Sequence, residues 1–115
     1  MRKSKITIDV ELDEHKKVEN ISWNATDSTA EEDRVAKAFI LSLWDGADKS
    51  ALRIDLWTKE MMVDEMADFH YQTIMTMADS FGRATGQAAL AQKMKDFAKD
   101  FYTAFREQQL SDNKA

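Results

Sequence analysis

The sequence predicts an α+β domain, and three features carry that expectation. Ile6, Ile8, Val10 and Leu12 alternate with Thr7, Asp9 and Glu11, the period-two pattern of a strand with one wet face. Between Leu52 and Met66 the apolar period changes from two to about 3.6 across Thr58, so a strand runs directly into a long helix. Beyond that point Met62, Met66, Phe69, Thr73, Met77 and Phe81 recur at helical spacing, and Leu90, Met94, Phe97, Phe101 and Phe105 do so again. Two amphipathic helices joined by so short a link pack as an antiparallel hairpin. The expected architecture is a small three-stranded antiparallel or mixed sheet, order 2-1-3, covered by a first helix and by the long C-terminal helical hairpin.

Each element has a local warrant. After the first strand, the polar run Asp13 to Lys17 reads as a hairpin connection, and Ile21 and Trp23 alternate with Ser22 and Asn24 in a second strand antiparallel to the first. Thr26, Asp27, Ser28 and Thr29 are helix-capping types, and Ser28 with Glu31 has the spacing of a capping box. A first helix is expected there, with Val35, Ala36, Phe39, Ile40, Leu43 and Trp44 on its apolar side and Gly46 as its stop.

Ala51 to Trp57 is the third strand. Leu52, Ile54 and Leu56 face the core, and Arg53 and Asp55 lie on the other face within reach of Asp9 or Glu11. Thr58 caps a second helix from about Lys59 to Arg83, and Gly82 and Gly86 bracket its end. The third strand is placed beside the first, with the first helix making a right-handed crossover. Residues 1–109 are expected to form one domain and 110–115 a disordered tail.

Composition narrows the function classes. Hydrophobic residues at 43% and charged ones at 32% of 115 residues describe a globular chain that can bury a core without staples. Sixteen Lys and Arg against twenty-one Asp and Glu leave a net charge of -5. The nearest approach to a basic cluster is Arg2, Lys3 and Lys5, so no nucleic-acid partner is expected. With no cysteine, disulfides, thiolate metal sites and cysteine nucleophiles are excluded. An alternating segment follows Met1-Arg2-Lys3 in place of the apolar run of a signal peptide, and no stretch approaches a membrane span. A cytoplasmic protein without direct membrane insertion is the expectation.

Nothing in the chain spells out a reaction. Glu60, Asp64 and Asp68 are spaced by four, with Glu65 and His70 nearby, and a row of this kind can serve a hard cation. It is also the solvated face of any amphipathic helix, which is the commoner case. His70 could act as a general base, but no Ser, Cys or second His stands at a suggestive spacing, and His15 reads as an exposed turn residue. No Gly-rich phosphate loop, nucleophile elbow or metalloprotease motif is present. No catalytic residue, metal ligand or cofactor is therefore assigned.

Methionines and aromatics are the more informative feature. Seven Met, three Trp, six Phe and two Tyr exceed what one small core consumes, and such residues mark adaptable protein interfaces. Trp57, Met61, Met62, Met66, Tyr71 and Met75 are the candidate interaction surface, for a protein partner or for a second copy in a homodimer.

Three stretches carry a family resemblance: Ala36 to Asp45, Leu52 to Met66, and Thr76 to Gly86. Arg53-Ile54-Asp55-Leu56-Trp57-Thr58-Lys59 followed by Met61-Met62-Val63-Asp64-Glu65-Met66 is their most distinctive run. Together they resemble the gliding motility-associated GldC family of Bacteroidetes over nearly the whole chain. The resemblance implies a small soluble accessory protein of the gliding machinery, with components of that machinery as partners, and it supplies no catalytic or ligand-binding residues. The alternative reading is a small metal-dependent enzyme or ligand-binding protein using the acidic face of the second helix.

Overall fold

The structure is a computed structural model that describes residues 2–26 and 33–113. It is α+β, with five strands followed by two helices. The chain divides into two compact units, Met1–Met61 and Met62–Ala115.

In the first unit, β1 (Ile6–Leu12) pairs antiparallel with β2 (Val18–Ala25), as the alternation predicts. Opposed pairs Ile8 with Trp23 and Val10 with Ile21 share the apolar face, while Thr7 with Asn24 and Asp9 with Ser22 share the polar one. Asp13 shapes the turn between them. Its carboxylate Oδ1 accepts from the backbone N–H of His15 at 2.8 Å and of Lys17 at 3.0 Å, and Lys16 takes the left-handed conformation at φ 63°. His15 is exposed in this turn. On the other edge of β2, Arg34–Ala36 forms a short strand, β3, with Ala36 opposite Ile21. Ile21 is thus flanked on both sides, and it is the one large side chain among the described residues that is fully buried.

The first helix, expected from the capping residues Thr26 to Thr29 as far as Gly46, does not form over the described part of that stretch, residues 33–45. β3 is followed by β4 (Ala38–Asp45), which pairs antiparallel with β5 (Ser50–Trp57). The capping residues Asp27 to Thr29 and Glu31 lie outside the described residues. Thr26 extends the β1–β2 ladder instead, its N–H donating to the Lys5 carbonyl at 3.0 Å and its hydroxyl accepting from the Lys5 N–H at 2.9 Å. The run from Ala38 to Trp44 fits both periods, because Phe39, Leu41 and Leu43 alternate as well as recurring on a helix. A partner strand of matching alternation decides between them. Gly46 then lies in a hairpin turn, where Asp45 Oδ1 accepts from the N–H groups of Ala47 at 2.8 Å and Asp48 at 3.0 Å.

The sheet order 2-1-3 is therefore replaced by two sheets, β1-β2-β3 and β4-β5. The third strand forms where expected, but its partner is β4 and no helical crossover is made. Arg53 and Asp55 accordingly face Ser42 and Ile40 across the strand pair, not Asp9 or Glu11.

Thr58 does not cap a helix, since the next helix begins five residues later. It is buried, at 5% exposure, and its backbone N–H donates to the Lys37 carbonyl at 2.8 Å. Lys59 continues the tie: its N–H donates to the Val18 carbonyl at 3.3 Å and its Nζ to Asp13 Oδ2 at 3.1 Å. The Thr58 hydroxyl is buried without a hydrogen-bond partner among the described residues.

The second unit is the expected antiparallel helical hairpin, α1 (Val63–Thr85) and α2 (Ala88–Asn113). Glu65 accepts from the Met62 N–H at 3.2 Å and, with Asp64, places negative charge at the positive end of α1. Gly86 ends the helix at φ 72°, its N–H donating to the Gly82 carbonyl at 2.9 Å. A side chain there would be strained in the left-handed region.

The seam between the helices differs from the Met and Phe stripe. Ala67, Ala78, Ala91 and Ala98 are the buried residues, Tyr71 and Tyr102 meet with ring centroids 5.0 Å apart, and Asp79 pairs with Lys95 at 2.8 Å. A Cβ at Gly82 would stand 3.4 Å from that of Ala91. Small residues let the helices approach closely on this side, which leaves Met62 and Met77 exposed. α2 continues to Asn113.

The segment leaving β5 and the turn it reaches can be tested at one position each, Thr58 and Asp13. Thr58→Val should hold or raise the unfolding midpoint, because it removes a buried hydroxyl that costs about 1–3 kcal/mol when unpaired. A capping threonine would instead lose about 1 kcal/mol, so urea unfolding of this variant separates the two roles. At Asp13, the Lys17 N–H and then the Lys59 ammonium hold the carboxyl below the ordinary 3.8. The contribution of this group is present above that value and is lost as pH falls through the lowered folded-state pKa. The stability gap between the wild type and Asp13→Asn should be level from neutral pH to about pH 5 and close in stronger acid, read by thermal melts across pH.

Candidate interaction surface

The six residues singled out for their chemistry are divided by the fold. Trp57, at the end of β5, and Met61 belong to the first unit, while Met62, Met66, Tyr71 and Met75 belong to the second. Met62 and Met66 lie one helical turn apart, with the Met66 N–H donating to the Met62 carbonyl at 2.9 Å. Trp57 and Met62 are 54% and 61% exposed, whereas Met61, Met66 and Met75 are half-buried. Tyr71 is turned to α2, where Tyr102 covers its ring, so it serves the hairpin.

A second apolar surface was hidden by the helical reading of residues 35–44. In the β4–β5 hairpin, Phe39 faces Leu56, Leu41 faces Ile54 and Leu43 faces Leu52. Side chains directly opposite share a face, so six large apolar groups form one side of the ribbon. Leu43, Leu52 and Ile54 are each more than half exposed, and Trp44, on the reverse face, is 70% exposed. The signal was present in the sequence as two apolar alternations of equal length separated by a polar, Gly-containing turn. On α2, Phe97 and Leu110 are also exposed.

The acidic row does not assemble as a site. Glu60 precedes α1, so only Asp64 and Asp68 share its helical register, and both are exposed. His70 is exposed, and its Nδ1 lies 2.9 Å from the Met66 carbonyl; as the N–H tautomer it donates to that oxygen. Its ring is edge-on to Phe69 at 5.8 Å. Among the described residues no three His, Asp or Glu side chains are grouped to hold a metal ion. A shallow cleft of about 280 Å³ within the second unit is lined by Val63, Phe105, Gln108, Gln109 and Asp112. With one carboxylate and two amides it offers hydrogen bonds but no nucleophile or paired acid and base. Among the described residues no helix is long and apolar enough to cross a membrane.

No curated protein and no solved structure matches the chain. A family model described as gliding motility-associated protein GldC-like matches residues 18–107, from the start of β2 into the second half of α2. That span takes in β2 to β5, α1 and most of α2, and it contains all three stretches on which the resemblance rests. With most of its length matched in this way, the chain belongs to the GldC-like family of gliding motility-associated proteins.

Proposed function

We propose that this chain is a non-enzymatic cytoplasmic accessory protein that supports bacterial gliding motility through contacts with other proteins of the motility machinery. Membership of the GldC-like family is the observation that carries the cellular role. The contact mode is supported by the exposure of Trp44, Trp57 and Met62, each above half, since large aromatic and Met side chains left in water mark interaction surfaces. The chemistry of these groups suits a protein surface with apolar pockets and a polar rim.

A gliding bacterium lacking this gene, complemented with variants, tests the reading. Complementation with Asp64→Ala/Asp68→Ala should restore colony spreading to the wild-type level. Met62→Asp, with a melting temperature within a few degrees of the wild type, should spread less. The reverse pattern, with the carboxylate variant inactive and a divalent cation raising the melting temperature of the wild type alone, would replace the interaction reading by a metal-dependent one.

A further inference from the structure

We infer that two copies of this chain join through the outer edge of β5, making a continuous β4-β5-β5-β4 sheet about a two-fold axis at Ile54. This pairing is independent of the motility role and involves the first unit alone.

Four strand edges are open among the described residues: those of β1, β3, β4 and β5. An open edge presents unpaired N–H and C=O groups that pair with another strand unless something prevents it. β3 is three residues long, too short to hold a partner. In β1 the charges are Asp9 and Glu11, so centred antiparallel self-pairing sets carboxylate against carboxylate. β4 has no charge from Ala38 to Trp44 and so nothing to select a register.

β5 differs. Its sequence, Ser-Ala-Leu-Arg-Ile-Asp-Leu-Trp, is charge-complementary to itself when reversed. With Ile54 opposite Ile54 of the second copy, Arg53 of each copy stands opposite Asp55 of the other, twice by symmetry. Leu52 then faces Leu56, again twice, and Ala51 faces Trp57. Slipping the register by two residues in either direction sets Arg53 against Arg53 or Asp55 against Asp55, and like charges directly opposite are destabilising. A slip by one residue turns the apolar side chains to the wrong face. One register is therefore selected.

Two further observations fit this occupant. Within the hairpin neither charge meets its opposite, since Arg53 faces Ser42 and Asp55 faces Ile40. A two-stranded ribbon is marginal by itself, and three or more strands with an apolar face are needed for independent stability. Pairing at β5 doubles the ribbon and joins the two apolar faces, six side chains from each copy, into one. Leu52 and Ile54, at 54% and 55% exposure, lie at the centre of the new sheet.

Charge exchange tests the register. Sedimentation equilibrium of the full chain should show a dimer. Arg53→Glu alone and Asp55→Arg alone each turn two attractive pairs into two repulsive ones and should weaken self-association by about tenfold or more. Mixing these two variants should restore a dimer of one copy of each. The introduced glutamate of one variant then faces the introduced arginine of the other, and the native Asp55 of the first faces the native Arg53 of the second. That recovery also shows that both variants fold. A wild type that stays monomeric at every concentration overturns the proposal and leaves the edge to a strand from another protein. A dimer indifferent to both single variants, or variants with native circular dichroism that do not recover on mixing, overturns it as well.

Discussion

The pairing of Ala38–Asp45 with Ser50–Trp57 decides more of this structure than any other interaction. A chain segment rich in Leu, Ile, Phe and Trp can satisfy its backbone within a helix or against a neighbouring strand. Here the neighbour follows after a short turn in which Asp45 accepts two backbone N–H groups and Lys49 takes φ 53°. The closing loop is brief, so little chain entropy opposes the pairing. With β4 as the partner of β5, the chain has two small sheets instead of one.

The remaining organisation follows from how each unit satisfies its own polar groups. In the first, Thr58 and Lys59 donate to carbonyls at Lys37 and Val18, and Lys59 reaches Asp13. The turn of the first hairpin, the start of β2 and the start of β4 are thereby tied to the segment that leaves β5. In the second, the helices approach along alanines, with Gly82 against Ala91 at the closed end and Tyr71 against Tyr102 further along. A seam of small residues does not need methionines, and this is why Met62 and Met77 remain at the surface.

That division of labour bears on the proposed role. In a family associated with gliding motility, a chain with two apolar surfaces is suited to assembly. The β4–β5 ribbon presents Leu, Ile and Phe on a pleated face, which matches another sheet or a flat apolar surface. The Met side chains at the start of α1 are flexible and adapt to irregular partners. Surfaces of such different character suit the two different occupants proposed above, a second copy at the ribbon and a component of the machinery at the helix.

Much of the chain was legible from residue order. Strict alternation placed β1 and β5 to within a residue, the polar run Asp13 to Lys17 marked the first turn, and Gly82 with Gly86 marked the break between the helices. The family was legible from three stretches of unusual wording. These features are local, set by side-chain period, turn chemistry and the conformational freedom of glycine. The nature of residues 35–44, the partner of β5 and the stripe on which α1 meets α2 were not. Phe39 to Trp44 satisfies both periods, and only a second strand at hydrogen-bonding distance breaks the tie. Ala67 and Ala78 carry no strong apolar signal, yet they line the seam because close helix packing rewards small volume over hydrophobicity. What the sequence determined by itself was local conformation and lineage; which faces meet, and so which apolar groups are left for partners, was decided by the tertiary structure, because that choice depends on contacts between residues far apart in the chain.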